Sequence, residues 1–163
     1  MKPKPLKPRG MKSKGLVREY PQNLSNRRIR AHKGKEKSIS KLMKELDRVF
    51  SLYVRTSNAN SEGMVQCYTC AKFFHYKKIH AGHYLSRFYK SMRWDERQVK
   101  PQCMMDNLWK RGDPVVFREN LVAEYGEDVV RQIELGRHQI YKLDKEDLKK
   151  RITHYASLIK NIG

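Results

Sequence analysis

Apolar residues recur at helical spacing in the stretch that begins near residue 38. Ser38 and Ser40 are typical helix-start residues, and apolar side chains follow them at intervals of three and four residues. These side chains are Leu42, Leu46, Val49, Phe50 and Tyr53. The pattern predicts an amphipathic helix of about four turns within residues 38–60, followed by a polar loop up to Gly63.

The region after residue 102 is also predicted to be helical. A short helix over residues 103–111 is followed by three others, and glycine or a capping residue marks each boundary. The marking residues are Gly112, Asp113 with Pro114, Gly126, Gly136 and Asp144. We expect this helical region, residues 114–163, to pack on the core or to form a dimer interface.

The middle of the chain, residues 61–113, has a different pattern. Short apolar pieces flank a Cys-x-x-Cys turn at Cys67 and Cys70, and residues 80–102 alternate basic and aromatic side chains. Short strands fit this part better than a helix. The fold class is therefore predicted to be α+β, with a small central core flanked by helices.

The first 35 residues are basic and contain few apolar side chains. They carry twelve Lys and Arg against one acid, Glu19, and the whole chain has a net charge of +19. Such a segment is predicted to be a disordered arm, because it cannot offset the entropy cost of ordering. The charge favours a polyanionic partner, and we expect Arg27, Arg28 and Arg30 to contact a phosphate backbone. A tail that serves solubility alone is the alternative.

Other classes are disfavoured by composition. No apolar run reaches the ~20 residues of a membrane helix, and the start of the chain lacks the apolar core of a signal peptide. We therefore expect a cytoplasmic protein without a membrane partner. Three cysteines, an odd number, argue for metal ligation or free thiols over a disulfide framework.

Two knuckles of matching spacing predict a metal site. Cys67 and Cys70 are separated by two residues, and so are Cys103 and Asp106. Three thiolates and one carboxylate form a plausible tetrahedral set for a structural Zn²⁺ ion. His75 or His80 is an alternative fourth ligand.

The residues between and after these knuckles resemble a known family. The resemblance is carried by Ala81-Gly82-His83-Tyr84, Arg87, Arg93-Trp94-Asp95, Val99, Gln102-Cys103, Asn107-Leu108 and Gly112-Asp113. Together they resemble the phage NinG/Rap recombination family, over roughly residues 62–160. The layout is also similar to the HNH, endonuclease VII-like ββα-metal nucleases. The resemblance implies a zinc-stapled ββα-metal core and an endonuclease that cuts branched DNA such as Holliday junctions and D-loops.

The resemblance also implies roles for individual residues. His83 would be the general base that activates water, and Asn107 would supply an oxygen ligand to a catalytic Mg²⁺ or Mn²⁺ ion. Arg87 would hold the scissile phosphate. Gln98 stands where the family usually has an asparagine that braces the loop holding the histidine.

Three positions depart from the family pattern. Gly82 occupies the place of an aspartate metal ligand, for which Asp113 or Asp95 would have to substitute. Gln98 is one methylene longer than asparagine, and Asp106 replaces a fourth cysteine. The departures favour a second hypothesis, a catalytically weak or inactive zinc protein that binds branched DNA. A third is an RNA-associated basic zinc protein.

Further nucleic-acid contacts are predicted for basic residues near the knuckles. These are Lys90, Arg93, Lys110 and Arg111. A two-fold substrate favours a homodimer, and no small-molecule substrate is expected.

Overall fold

The computed structural model describes residues 36–162. The predictions for residues 1–35, including the phosphate contacts of Arg27, Arg28 and Arg30, lie outside the described residues. In chain order the elements are α1 (Ile39–Thr56), β1 (Met64–Gln66), β2 (Phe73–His75), β3 (His80–His83), β4 (Val99–Gln102), a π-helical turn (Met105–Trp109), α2 (Pro114–Tyr125), α3 (Glu127–Gly136) and α4 (Lys145–Ile162). The described residues contain both helices and short antiparallel strands, which confirms the predicted α+β class.

The described strands form two separate antiparallel hairpins. In the first, β1 pairs with β2 and Val65 lies opposite Phe74. In the second, β3 pairs with β4 and Gly82 lies opposite Lys100. The Cys67–Cys70 knuckle connects the strands of the first hairpin. The second hairpin leads into the π-helical turn through Cys103, so the two knuckles meet where the hairpins adjoin.

Helices α1 and α4 pack against each other and form the larger core. α1 begins at the predicted cap, since the Ser38 hydroxyl accepts the Lys41 backbone N–H at 3.4 Å. Its apolar stripe is buried together with Leu148 and Tyr155 of α4, and with Trp94 and Val99 beside the second hairpin. The apolar face of α4 therefore packs against the rest of the chain. Any dimer contact made by this helix would have to involve its exposed face.

One predicted helix needs correction, and two predicted boundary residues have further structural roles. Residues 103–111 contain a π-helical turn of five residues instead of a regular helix. Asp113 occupies the predicted N-cap position of α2, but its backbone is left-handed (φ 47°) and its side chain makes no capping hydrogen bond. Its carboxylate pairs with Lys110 instead. Gly136 is the last residue of α3, as predicted, and it is also buried against Met92, where a Cβ would collide with the sulfur.

The other boundaries follow the sequence pattern. Pro114 occupies the first turn of α2, and Gly126 ends it with φ 84°. Asp144 accepts the Asp147 backbone N–H at 3.0 Å and so begins α4. Within residues 36–162, no helix combines the length and the apolar character that a membrane span requires.

Candidate metal centre and adjoining basic cleft

Four side chains with metal-binding atoms converge between the two hairpins. The ligand atoms of Cys67, Cys70, Cys103 and Asp106 all lie within 4.8 Å of one another, and we call these residues the metal cluster. The Cys70 and Cys103 sulfurs are 3.9 Å apart, and the Cys67 sulfur is 3.7 Å from Asp106 Oδ2. Zn–S bonds of about 2.3 Å place tetrahedral sulfurs about 3.8 Å apart. The predicted donor set therefore has the spacing that a zinc-like ion requires.

The first knuckle is shaped by its backbone. The Ala71 N–H donates to the Cys67 carbonyl at 3.0 Å, and the Cys67 N–H donates to the Lys72 carbonyl at 2.8 Å. Ala71 adopts the left-handed conformation with φ 58° that this tight turn requires. The Cys103 N–H also donates to the Cys67 sulfur at 3.2 Å, which ties the two knuckles together.

Asp106 is held as a carboxylate by two neighbours. It is almost fully buried, and it accepts hydrogen bonds from Thr69 Oγ1 at 2.7 Å and from Lys110 Nζ at 2.9 Å. Burial raises the pKa of Asp106, but the hydrogen bonds from Thr69 and Lys110 outweigh it and hold that pKa at about 2. Asp106 is therefore ionised and available as the fourth ligand.

The two histidines considered as fourth ligands lie elsewhere. His75 stacks on Tyr76 and accepts the Lys77 backbone N–H. His80 contacts Asn107, with its Nδ1 3.0 Å from Asn107 Nδ2. The fourth place thus belongs to Asp106.

A cleft of about 620 Å³ opens beside the metal cluster, and we call it the basic cleft. Residues from α1, from both ends of β3 and from the π-helical turn meet there. Its lining consists of Ser51, Arg55, Lys77, Ile79, His80, Ala81, His83, Ser86, Arg87, Asn107, Leu108, Arg111 and Gly112. The lining contains four cations and no carboxylate from the part of the chain that the structure describes. Such a cleft suits an anionic ligand.

His83 lies in the wall of the cleft between two backbone carbonyls. Its Nε2 is 3.1 Å from the Arg93 carbonyl oxygen, and its Nδ1 is 3.3 Å from that of Ala81. We assign the proton of the neutral ring to Nε2, which makes the shorter contact, so Nδ1 carries the lone pair. Burial lowers the pKa of His83 below its usual value, although the Arg93 carbonyl opposes the shift. The ring is therefore a neutral base at physiological pH.

Gln98 braces the loop that supplies the Arg93 carbonyl. The side chain is fully buried, its Oε1 accepts the Leu85 N–H at 2.9 Å, and its Nε2 donates to the Met92 carbonyl at 2.6 Å. Leu85 lies near the start of the loop between β3 and β4, Met92 lies in its middle, and Gln98 itself is its last residue. The extra methylene of glutamine is therefore accommodated, and the amide spans the loop.

Asn107 and His80 face each other across the cleft wall. With Nδ2 of Asn107 donating to Nδ1 of His80, the amide oxygen of Asn107 remains free to act as an oxygen ligand. This pairing was not predictable from the sequence, since the two residues are 27 positions apart.

Three cations at the cleft carry uncompensated charge. Lys77, Arg87 and Arg111 are exposed, and within residues 36–162 they form no salt bridge. Arg55 is different, because its guanidinium donates to the Ser51 and Tyr76 carbonyls. Lys77 and Arg55 were not predicted from the sequence, because nothing in the chain links α1 or the β2–β3 loop to the motif around His83.

The remaining candidate residues lie away from the cleft lining. Arg93 forms a two-point ion pair with Asp47 of α1, which makes it a structural link and not a free phosphate contact. Lys110 is paired with Asp106 and Asp113, while Lys90 is exposed beside another cavity. Asp95 pairs with Arg97. Neither Asp95 nor Asp113 therefore supplies the cleft with the carboxylate that the family pattern discussed above has at the position of Gly82.

The fold and the site define a small α+β protein with a Cys₃Asp cluster able to hold a metal ion and a cation-lined cleft beside it. Residues 4–163 match the family described as Bacteriophage Lambda NinG protein, and the chain belongs to this family. Protein ninG of Escherichia phage lambda is 29% identical over 83 residues, which are 50% of this chain and 40% of that protein. The match thus spans less than half of the relative's length. No solved structure matches the chain significantly.

Proposed function

We propose that this protein is a metal-dependent DNA endonuclease of the HNH, endonuclease VII-like type that cuts branched recombination intermediates such as Holliday junctions and D-loops. The observation that carries the proposal is the basic cleft, which brings His83, Asn107 and Arg87 together beside the metal cluster. In this proposal, the second hairpin and the π-helical turn that follows it correspond to the ββα-metal core. Membership of a phage family is consistent with this function.

The metal cluster has a structural role in this proposal. Its four protein ligands would complete a tetrahedral Zn²⁺ shell, which leaves no position for substrate. The cluster joins the first hairpin to the turn that carries Asn107, and a small core gains much of its folding free energy from such a staple. The metal cluster would therefore hold the cleft in shape when zinc is bound, and the chemistry would fall to the residues of the cleft.

His83 acts as the general base. Its Nδ1 takes a proton from the attacking water, and the Ala81 carbonyl, 3.3 Å away, then accepts a hydrogen bond from the new N–H. The Arg93 carbonyl fixes the ring through Nε2, in the way that a backbone acceptor commonly fixes a histidine tautomer. Gln98 contributes indirectly, because it holds the loop that carries this carbonyl.

Asn107 would hold the catalytic cation through its amide oxygen, and His80 positions that amide. A hard divalent ion such as Mg²⁺ or Mn²⁺ prefers oxygen ligands and retains several waters, so the Asn107 oxygen would share the ion with a substrate phosphate. When bound, this ion supplies neutralisation of the charge that develops on the leaving oxygen. Gly82 then needs no substitute carboxylate.

Arg87 and Arg111 bind the phosphates on either side of the reaction centre. Both are exposed, line the cleft and have no acidic partner within residues 36–162. Guanidinium groups match phosphate oxygens with two parallel hydrogen bonds. A homodimer, which would cut two strands of a four-way junction symmetrically, is part of the proposal.

The test is cleavage of a fixed four-way junction and of its linear duplex arms, with Mg²⁺ and with Mn²⁺, using zinc-loaded full-length protein. We expect junction cleavage that is lost in His83→Ala and retained in His138→Ala. His138 is an exposed histidine outside the cleft, so it is a matched control. An RNA four-way junction of the same sequence tests the RNA hypothesis.

Two results would contradict the proposal. Tight, salt-sensitive binding without cleavage in either metal would favour the non-catalytic DNA-binding protein. Preferential binding of the RNA junction would favour the RNA-associated one. Cleavage that persists unchanged in His83→Ala would also remove the proposed general base.

A further inference from the structure

Four large apolar side chains project into solvent from the turn that joins the metal cluster to the basic cleft. Their exposed fractions are 54% for Met104, 58% for Met105, 57% for Leu108 and 75% for Trp109. Met104 directly precedes the π-helical turn and the other three residues lie within it, so all four come from one short segment. We call these four residues the apolar patch.

The polarity of this turn is reversed relative to an ordinary surface helix. Asp106 is 2% exposed and points to the metal cluster, while the apolar residues point outward. A surface helix normally buries its apolar stripe and exposes its charges. Here Cys103 and Asp106 tie the turn to the cluster, and the Gly112 N–H bonds the Asp106 carbonyl at 2.8 Å. The turn is thus held in place without burying its apolar side chains.

The apolar patch borders the basic cleft. Leu108 belongs both to the patch and to the cleft lining, and Arg111 lies two residues beyond Trp109 in the same lining. A partner that covers both surfaces must present apolar faces close to negative charge. Nucleic-acid bases next to their phosphates have this combination, and aromatic side chains stack on base faces that are free.

We propose that the apolar patch docks an unstacked base at a DNA branch point, with Trp109 as the stacking residue; this inference rests on the proposed function. In an uninterrupted duplex both faces of every base are covered by neighbouring bases. Apolar side chains reach those faces only where the stack is open or can be wedged apart. The patch would thereby place the branch next to His83 and favour branched substrates over linear duplex.

Tryptophan fluorescence tests the proposal in a His83→Ala background, in which substrate stays intact. The chain has two tryptophans, of which Trp94 is buried and Trp109 is exposed. We expect a four-way junction to quench the Trp109 emission and to block its quenching by acrylamide, while the linear duplex leaves both unchanged. Trp109→Phe should remove this signal and leave the Trp94 emission, which reports that the fold is intact.

Binding affinity provides the second measurement. Trp109→Ala should weaken junction binding about 10-fold, the loss expected for one stacked base, and should change duplex binding less than about two-fold. Phe73→Ala is the matched control, since Phe73 is 60% exposed but lies on β2 outside the cleft lining. A 2-aminopurine at the branch should change its fluorescence with the parent protein and not with Trp109→Ala.

The outcomes separate this inference from the proposed function. Equal quenching by junction and duplex, or equal weakening of both by Trp109→Ala, would overturn the inference. So would a Trp109 signal that depends on protein concentration without DNA, because the patch would then be a protein interface. Junction cleavage by the native protein without any Trp109 response would support the nuclease and refute the docking inference. Trp109 quenching by the junction without cleavage would support the docking site and refute catalysis.

Discussion

Gln102 lies directly against Gly82 across the second hairpin, so that residue 82 has no room for a side chain. A Cβ on residue 82 would come within 2.7 Å of Gln102 Cβ and closer still to its amide oxygen. Gln102 is fully buried, and its Nε2 donates to the Gly112 carbonyl at 2.6 Å and contacts Thr69 Oγ1 at 3.3 Å. Gln102, which connects the metal cluster with the cleft, therefore leaves room only for glycine at position 82.

Gly82→Asp, which would introduce the carboxylate common among HNH enzymes, should damage this protein. The new side chain collides with Gln102, and overpacking of this kind typically costs about 1–3 kcal/mol of unfolding free energy. Thermal unfolding of the zinc-loaded variant measures the loss. Gly82→Asp combined with Gln102→Ala should recover part of it, because the space opens. A Gly82→Asp variant as stable as the parent would contradict the steric argument.

The sequence predicted the elements whose signals are local. The stripe from Leu42 to Tyr53 identified α1, and Pro114 and Gly126 marked the ends of α2, because periodicity and backbone restriction act within a few residues. The metal cluster was also predictable, since the spacing of Cys67 with Cys70 repeats at Cys103 with Asp106. These features require no knowledge of tertiary contacts.

Contacts between distant segments were not predictable in the same way. The pairing of Arg93 with Asp47 of α1 converts an apparent phosphate contact into a structural link, and the sequence does not reveal the partner. Asp113 occupies the predicted N-cap position, but the pairing of its carboxylate with Lys110 was not predictable. Gly136 ends α3 as predicted, but its close packing against Met92 depends on a distant segment.

Asp106 and Lys110 should affect zinc binding to different degrees. Asp106→Ala removes a ligand and should lower zinc affinity more than Lys110→Met, which removes only a hydrogen-bond partner of that ligand. Loss of such an outer partner typically costs about 10- to 100-fold in affinity. Competition with a chromophoric chelator measures both, with Lys90→Met as the control for lost charge. Unchanged zinc affinity in Asp106→Ala would exclude the carboxylate as fourth ligand.

Gln98→Leu should destabilise the loop between β3 and β4 and disturb the position of His83, the proposed general base. The Leu85 N–H and the Met92 carbonyl would both lose their buried partner, and each unsatisfied group costs about 1–3 kcal/mol. Chemical denaturation measures the loss. Gln98→Asn should lie between the parent and leucine, since the amide remains but is one methylene shorter. Gln132→Leu on the exposed face of α3 is the control. A Gln98→Leu variant with parental stability would contradict the bracing role.

The pH dependence of His83 has a definite sign. Burial lowers its pKa, the nearby Arg87 charge lowers it further, and the Arg93 and Ala81 carbonyls and Asp47 oppose the shift only in part. The folded protein therefore holds a neutral ring that the unfolded chain would protonate below about pH 6.5. The stability that this ring contributes is present above that pH and is lost as the pH falls through the lower folded pKa.

The same shift sets the expected pH profile of cleavage. A general base must be neutral, so the single-turnover rate on a bound junction should rise with an inflection below about pH 6.5 and reach a plateau at neutral pH. NMR titration of the His83 ring gives the pKa independently, and both values should coincide. Arg87→Ala should raise the titration midpoint, because a like charge is removed, whereas Arg97→Ala should leave it unchanged. An inflection above pH 6.5 in both measurements would show that the buried, neutral imidazole is not the group that limits the reaction.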